Sequence, residues 1–148
     1  MSDTAKRTPA IELAPDRRVT TRRVLTGARR GAGRLHPALA AAVVLAVFVQ
    51  VYLIGAYVFG AGAGALDAHR TVGFIAHGLE VLVLIVALIA WLPRRDLALS
   101  ALLALIGTVQ ISLAGEHRWV GGLHPLFALV VLVLAAALVL RSRDRPHT

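Results

Sequence analysis

The sequence contains no cysteine, which excludes disulfides, thiolate metal sites and cysteine nucleophiles at once. Acidic residues are scarce: eight Asp and Glu stand against sixteen Lys and Arg, and of those eight only Glu80 falls inside a long apolar block. No hydrolase, transferase or nucleotide-binding motif is present. Ser112 and Thr108 have no base and acid arranged around them for nucleophilic catalysis. A formal charge of +8 would suit nucleic acid, but most of the excess lies in the N-terminal segment beside an apolar block. No recognition fold remains once the apolar blocks are set aside, so nucleic acid is not an expected partner.

What is present is apolar. With 57% hydrophobic residues and a mean hydropathy of +0.73, the chain is too apolar for an ordinary soluble domain. The pattern predicts an all-α integral membrane four-helix bundle made of two like-oriented transmembrane hairpins. Spans are expected at about 36–59, 71–92, 97–114 and 123–140, forming one domain over 36–140. Residues 1–35 carry Arg, Thr, Ala and Gly without a sustained apolar period and read as a disordered basic tail. The alternative for 17–30 is a short amphipathic helix lying on lipid through Val19, Val24 and Leu25. The start of the chain does not read as a signal peptide, because the first apolar segment is too long and three more follow. Gly60 to Ala68 is expected to be a flexible connection, 93–96 a tight turn, and 141–148 a second tail.

Basic residues predict the orientation. Fourteen of the sixteen lie in the two tails and the middle turn, and only Arg70 and Arg118 lie in the other two loops. Both termini are therefore expected in the cytoplasm of a cell-membrane protein, with the bilayer as its solvent. Trp91 and Trp119, near opposite ends of their spans, suit the two aromatic belts.

The first and third spans share a motif. Val49-Gln50 is followed by Gly55, and Val109-Gln110 by Gly115. One loop later each hairpin presents a histidine, His69 nineteen residues after Gln50 and His124 fourteen after Gln110. Like-oriented repeats imply a pseudo-two-fold axis along the membrane normal, which puts His69 and His124 at similar depth on facing helices. Two imidazoles across a bundle suit a flat macrocycle ligated from both faces through its iron. Gln50 and Gln110 could orient them or hydrogen-bond across the bundle, and small residues, Gly73 and Ala76 on one side and Ala128 on the other, would let the macrocycle approach. The competing expectation is that both histidines merely start helices, with Pro125 in a favoured first-turn position.

Glu80 lies eleven residues after His69, which is about 20° around the helix and roughly 16 Å deeper. His77, three residues before it, is close enough to share a proton. This pair is a candidate proton site beneath a redox centre or at a quinone pocket, or else a protonated glutamate hydrogen-bonded to His77, Gln50 or Gln110 to fix packing. The fourth span has Leu132 and Ala135 at the corresponding positions. His36 reads as a helix-start residue. His117 reads as a solvated loop residue that could join His124 in a surface metal site, and His147 as a tail residue.

Leu53 to Gly64, His69-Arg70 with Gly73, Gln110 with Gly115, and Leu123-His124 with Ala128 occur in an order that resembles one half of the heme A synthase family. The chain also resembles small four-span bacterial membrane proteins with the same order. The resemblance covers about 44–140 and implies a four-helix unit binding b-type heme between His69 and His124, for electron transfer or heme handling. The chain has one half where that family has two, so a homodimer or larger membrane complex would have to supply the other. It has Leu66 where the family has a glutamate, and it lacks the outer-loop cysteines of many members. Heme hydroxylation is therefore not implied, whereas heme binding is. The other function classes are a non-catalytic subunit of a membrane complex and a small-solute carrier using Glu80 and His77.

Overall fold

The computed structural model describes the backbone of residues 17–115 and 118–144 and the side chains of residues 23–115 and 119–144. The protein is a multi-pass membrane protein built as a four-helix bundle. Its long helices are α1 (Arg17–Val58), α2 (Ala63–Ala90), α3 (Arg94–Leu113) and α5 (Leu123–Arg143), with a single turn, α4 (Arg118–Gly121), between the last two. Each long helix packs on its chain neighbour, and α1 closes the ring against α5.

Several boundaries differ from the sequence expectation: α3 begins at Arg94, so 94–96 is helix rather than turn, and α5 runs on to Arg143, into the expected tail; two larger differences concern α1 and the first loop. Helix α1 begins at Arg17, so 17–35 is helical rather than a disordered tail; residues 1–16 lie outside the described part. Pro37 sits inside α1. There it removes only its own N–H bond to the carbonyl of residue 33, which is a glycine, and the upstream Arg, Ala and Leu favour helix. The 42 residues of α1 span about 63 Å against a bilayer core of roughly 30 Å, so its basic N-terminal part projects beyond the apolar slab. The second difference is at the first loop. The break between α1 and α2 is only 59–62, where Gly60 and Gly62 adopt φ of 92° and 81°, a left-handed region open to glycine at no steric cost. The alanine-rich residues after Gly62 join α2, so His69 lies in its second turn.

Helix α2 ends in a Schellman turn. Trp91 is left-handed (φ 52°), its N–H donates to the Leu88 carbonyl, and the Leu92 N–H reaches back to Ala87 before Pro93 stops the helix. Glycine is the usual residue there. Here the Trp91 ring instead receives the Arg29 guanidinium from α1, 4.8 Å from the ring centre.

Burial confirms the repeat. In α1 the buried positions include His36, Ala40, Val43 and Val47, and in α3 they include Asp96, Ser100, Leu103 and Gly107, the same sixty-residue offset that relates Gln50 to Gln110. In α2, Ala76, Glu80 and Val83 match Val131, Ala135 and Leu138 of α5 at the fifty-five-residue offset of His69 and His124. The alternation of four and three residues is that of left-handed helix packing.

The repeat is broken in one place by an exchange of volume. Glu80 is 2% exposed, and its carboxylate occupies the space that a Cβ at Gly107 would fill. The symmetry-related positions hold Ala135 and Val47, so large faces small in both, with the sizes reversed. Gly107→Val should lower stability by about 1–3 kcal/mol through overpacking. Glu80→Ala combined with Gly107→Val, which copies the other pair, should recover most of that loss in thermal unfolding of the detergent-solubilised protein.

Candidate functional site

Toward the loop end of the hairpins the core opens into a cavity of about 490 Å³ that all four long helices line. Its walls are mainly apolar, with Gln50, His69, His77, Glu80, Gln110 and His124 as the polar exceptions. Further down, Val43, Val83, Leu103 and Leu138 are fully buried and close the bundle.

The histidine pair is held by main-chain carbonyls. Nδ1 of His69 lies 3.1 Å from the Gln50 carbonyl, and Nδ1 of His124 lies 2.9 Å from the Gln110 carbonyl. A carbonyl only accepts, so each contact requires the proton on Nδ1; in the neutral ring the lone pair is then on Nε2, the form in which imidazole binds a metal. The ring centres stand 6.3 Å apart with planes at 75°. That separation is compatible with one metal ion between the rings, for which His69 and His124 would be the donors. The glutamines thus orient the imidazoles through their backbones, not through their carboxamides.

The two carboxamides differ, and a glycine explains why. Gln50 Nε2 donates to the His69 carbonyl at 2.8 Å, completing a reciprocal clasp between α1 and α2. A Cβ at Gly73 would lie 2.9 Å from that nitrogen, so the missing side chain is what admits the amide. Clearance at Gly73 therefore serves Gln50, where the sequence suggested room for a ligand. The equivalent residue on α5 is Ala128, and the Gln110 carboxamide makes no hydrogen bond among the described residues while lining the cavity.

At the cavity floor His77 Nδ1 lies 3.1 Å from Glu80 Oε2, with the histidine side chain 26% exposed and the glutamate 3%. Thr108 and Ser112 donate to the carbonyls of Ala104 and Thr108 in their own helix, which leaves them no nucleophilic arrangement.

A second polar cluster, at the opposite end of the bundle, contains residues the sequence did not single out. His36 is not a helix-start residue: it is fully buried within α1, its Nε2 2.9 Å from Ser100 Oγ. Ser100 donates to the Asp96 carbonyl, so it accepts from His36 Nε2–H. Arg141 Nε donates to Asp96 Oδ1 at 2.7 Å and ties α5 to the start of α3. Asp96 looks like an ordinary turn acid, yet the sixty-residue offset that aligns the glutamines also aligns it with His36. His117 and His147 lie outside the described residues.

No family model, curated protein or solved structure matches the chain.

Arg141→Ala removes the guanidinium partner of a carboxylate that is 2% exposed, and should cost about 1–3 kcal/mol, less than for a fully buried pair because Arg141 is partly solvated. Adding Asp96→Asn should cost less than the sum of the single changes, a non-additivity measurable by thermal unfolding.

Proposed function

We propose that this protein binds a b-type heme between His69 and His124 within the membrane, for electron transfer or heme handling. The observation that carries the reading is the pair of facing imidazoles, each with Nδ1 committed to a carbonyl, with ring centres 6.3 Å apart. The surrounding cavity of about 490 Å³ is of ligand size and mostly apolar, as a porphyrin requires. When bound, heme supplies a one-electron iron couple. The chain's own part is to present two Nε2 lone pairs, hold both rings by main-chain carbonyls and keep water from the inner half of the cavity. The order of motifs that resembles half of a heme A synthase is consistent with this reading.

A carrier is the second reading, favoured by Glu80 and His77 at the floor of the same cavity, where a proton could be exchanged with a bound solute. A subunit role, alone or as a homodimer, has no residue pattern that favours it.

Hemin added to the purified apoprotein should give the absorbance of a six-coordinate bis-imidazole complex, oxidised and reduced. His69→Ala and His124→Ala should each lose six-coordination and bind at least about a hundredfold more weakly, a ligand bond being worth several kcal/mol. Wild-type protein that stays colourless would remove the heme reading in favour of the carrier.

The orientation proposed is that of the positive-inside rule, with both termini in the cytoplasm and the short turn at 59–62 outside. The absence of native cysteine makes it directly readable. Ala61→Cys and Gly115→Cys should react with an impermeant maleimide on intact cells, and Asp144→Cys only after permeabilisation. The reverse pattern would invert the topology.

A further inference from the structure

The histidine pair stands between two chambers of unlike chemistry. The deep one, about 490 Å³, ends at Glu80 and His77. A shallower one, about 320 Å³, lies toward α3 and is lined by Arg70, Phe74, Ala114 and Gly115 beside the histidines and glutamines that both share. A flat ligand held on both faces by His69 and His124 extends into both chambers, because the imidazoles stand at their common boundary. Its edges therefore meet different surroundings. An edge bearing carboxylates is disfavoured next to the buried Glu80 acid, and favoured next to a guanidinium, whose planar donors match a carboxylate.

We infer that Arg70 and the Gln110 carboxamide recognise the carboxylates of the tetrapyrrole, so that it sits with its acid edge outward in the shallow chamber and its hydrocarbon edge in the deep one. This rests on the heme reading above. Arg70 is the one permanently charged side chain among the described residues that line the shallow chamber. Its present partner is weakly held: Asp67 lies one turn back on the same helix, 3.4 Å away, with the two side chains 65% and 70% exposed. Such a pair contributes little in water and yields readily to a ligand carboxylate. Gln110 supplies the second donor because Ala128 stands where Gly73 admits Gln50. The repeat thus uses one glutamine side chain to hold the fold and leaves the other for the ligand.

The test compares hemin with hemin dimethyl ester, which keeps the iron and the ring but has no free carboxylate. Both are loaded into the full-length protein in detergent, and their release to an excess of heme-scavenging apoprotein is followed by absorbance. Hemin should leave wild-type protein at least about tenfold more slowly than the ester, the worth of one charge-assisted hydrogen bond. Arg70→Ala should bring hemin release close to the ester rate while leaving the ester unaffected. Gln110→Leu should do the same to a smaller extent, and Asp67→Asn, which frees the guanidinium, should slow hemin release alone. Equal release of the two ligands from wild-type protein, or a hemin-to-ester ratio unchanged in Arg70→Ala, would overturn the inference while the heme site stands. Failure of wild-type protein to form a six-coordinate complex with either ligand would overturn both.

Discussion

Inside a bilayer a polar side chain has no water to turn to, and its partner must come from the protein. That constraint organises the bundle. Gln50 and His69 exchange hydrogen bonds across α1 and α2, His124 takes the Gln110 carbonyl across α3 and α5, Ser100 receives His36, and Asp96 receives Arg141. Each of these contacts joins two different helices. Satisfying the polar groups and fixing the register of the helices are therefore one operation, and the apolar layers between have only to fill space.

The same constraint gives the site its chemical form. A neutral histidine bonded through Nδ1 to a main-chain carbonyl is held in one tautomer, with its lone pair on Nε2. In that form two such residues, brought together with ring centres 6.3 Å apart, add no net charge to the membrane interior. The duplication produces this pair with little sequence, since one hairpin pattern written twice yields both halves. Departures from the repeat then distinguish the two halves. Gly73 locks Gln50 into the clasp, Ala128 leaves Gln110 open to the cavity, and Glu80 enters the space left by Gly107.

Much of this was legible in the amino-acid order because it is local or periodic. Four apolar runs gave the spans, the Val-Gln motif with a glycine five residues after the Gln gave the duplication, and the three-residue spacing of His77 and Glu80 gave their contact. What was not legible depends on register between helices distant in sequence. Asp96 and Arg141 are forty-five residues apart, and His36 and Ser100 sixty-four. The role of Gly107 becomes visible only when a glutamate from another helix is brought against it. The extent of the helices was misread for a different reason. His36 resembles a helix start whether or not nineteen helical residues precede it, and a Gly-Ala run looks flexible even when, as after Gly62, its alanines open a helix.

The reversed sizes of Glu80 with Gly107 and of Ala135 with Val47 have a consequence for how the chain assembles. Were the two hairpins identical, either could pair with a copy of itself. As built, the α1–α2 hairpin set against its own copy would drive a carboxylate into valine, and the α3–α5 hairpin set against its copy would leave alanine facing glycine across a gap. Each half fits only the other. The present sequence favours its first half against its second, and the cavity that all four helices line forms where the two meet.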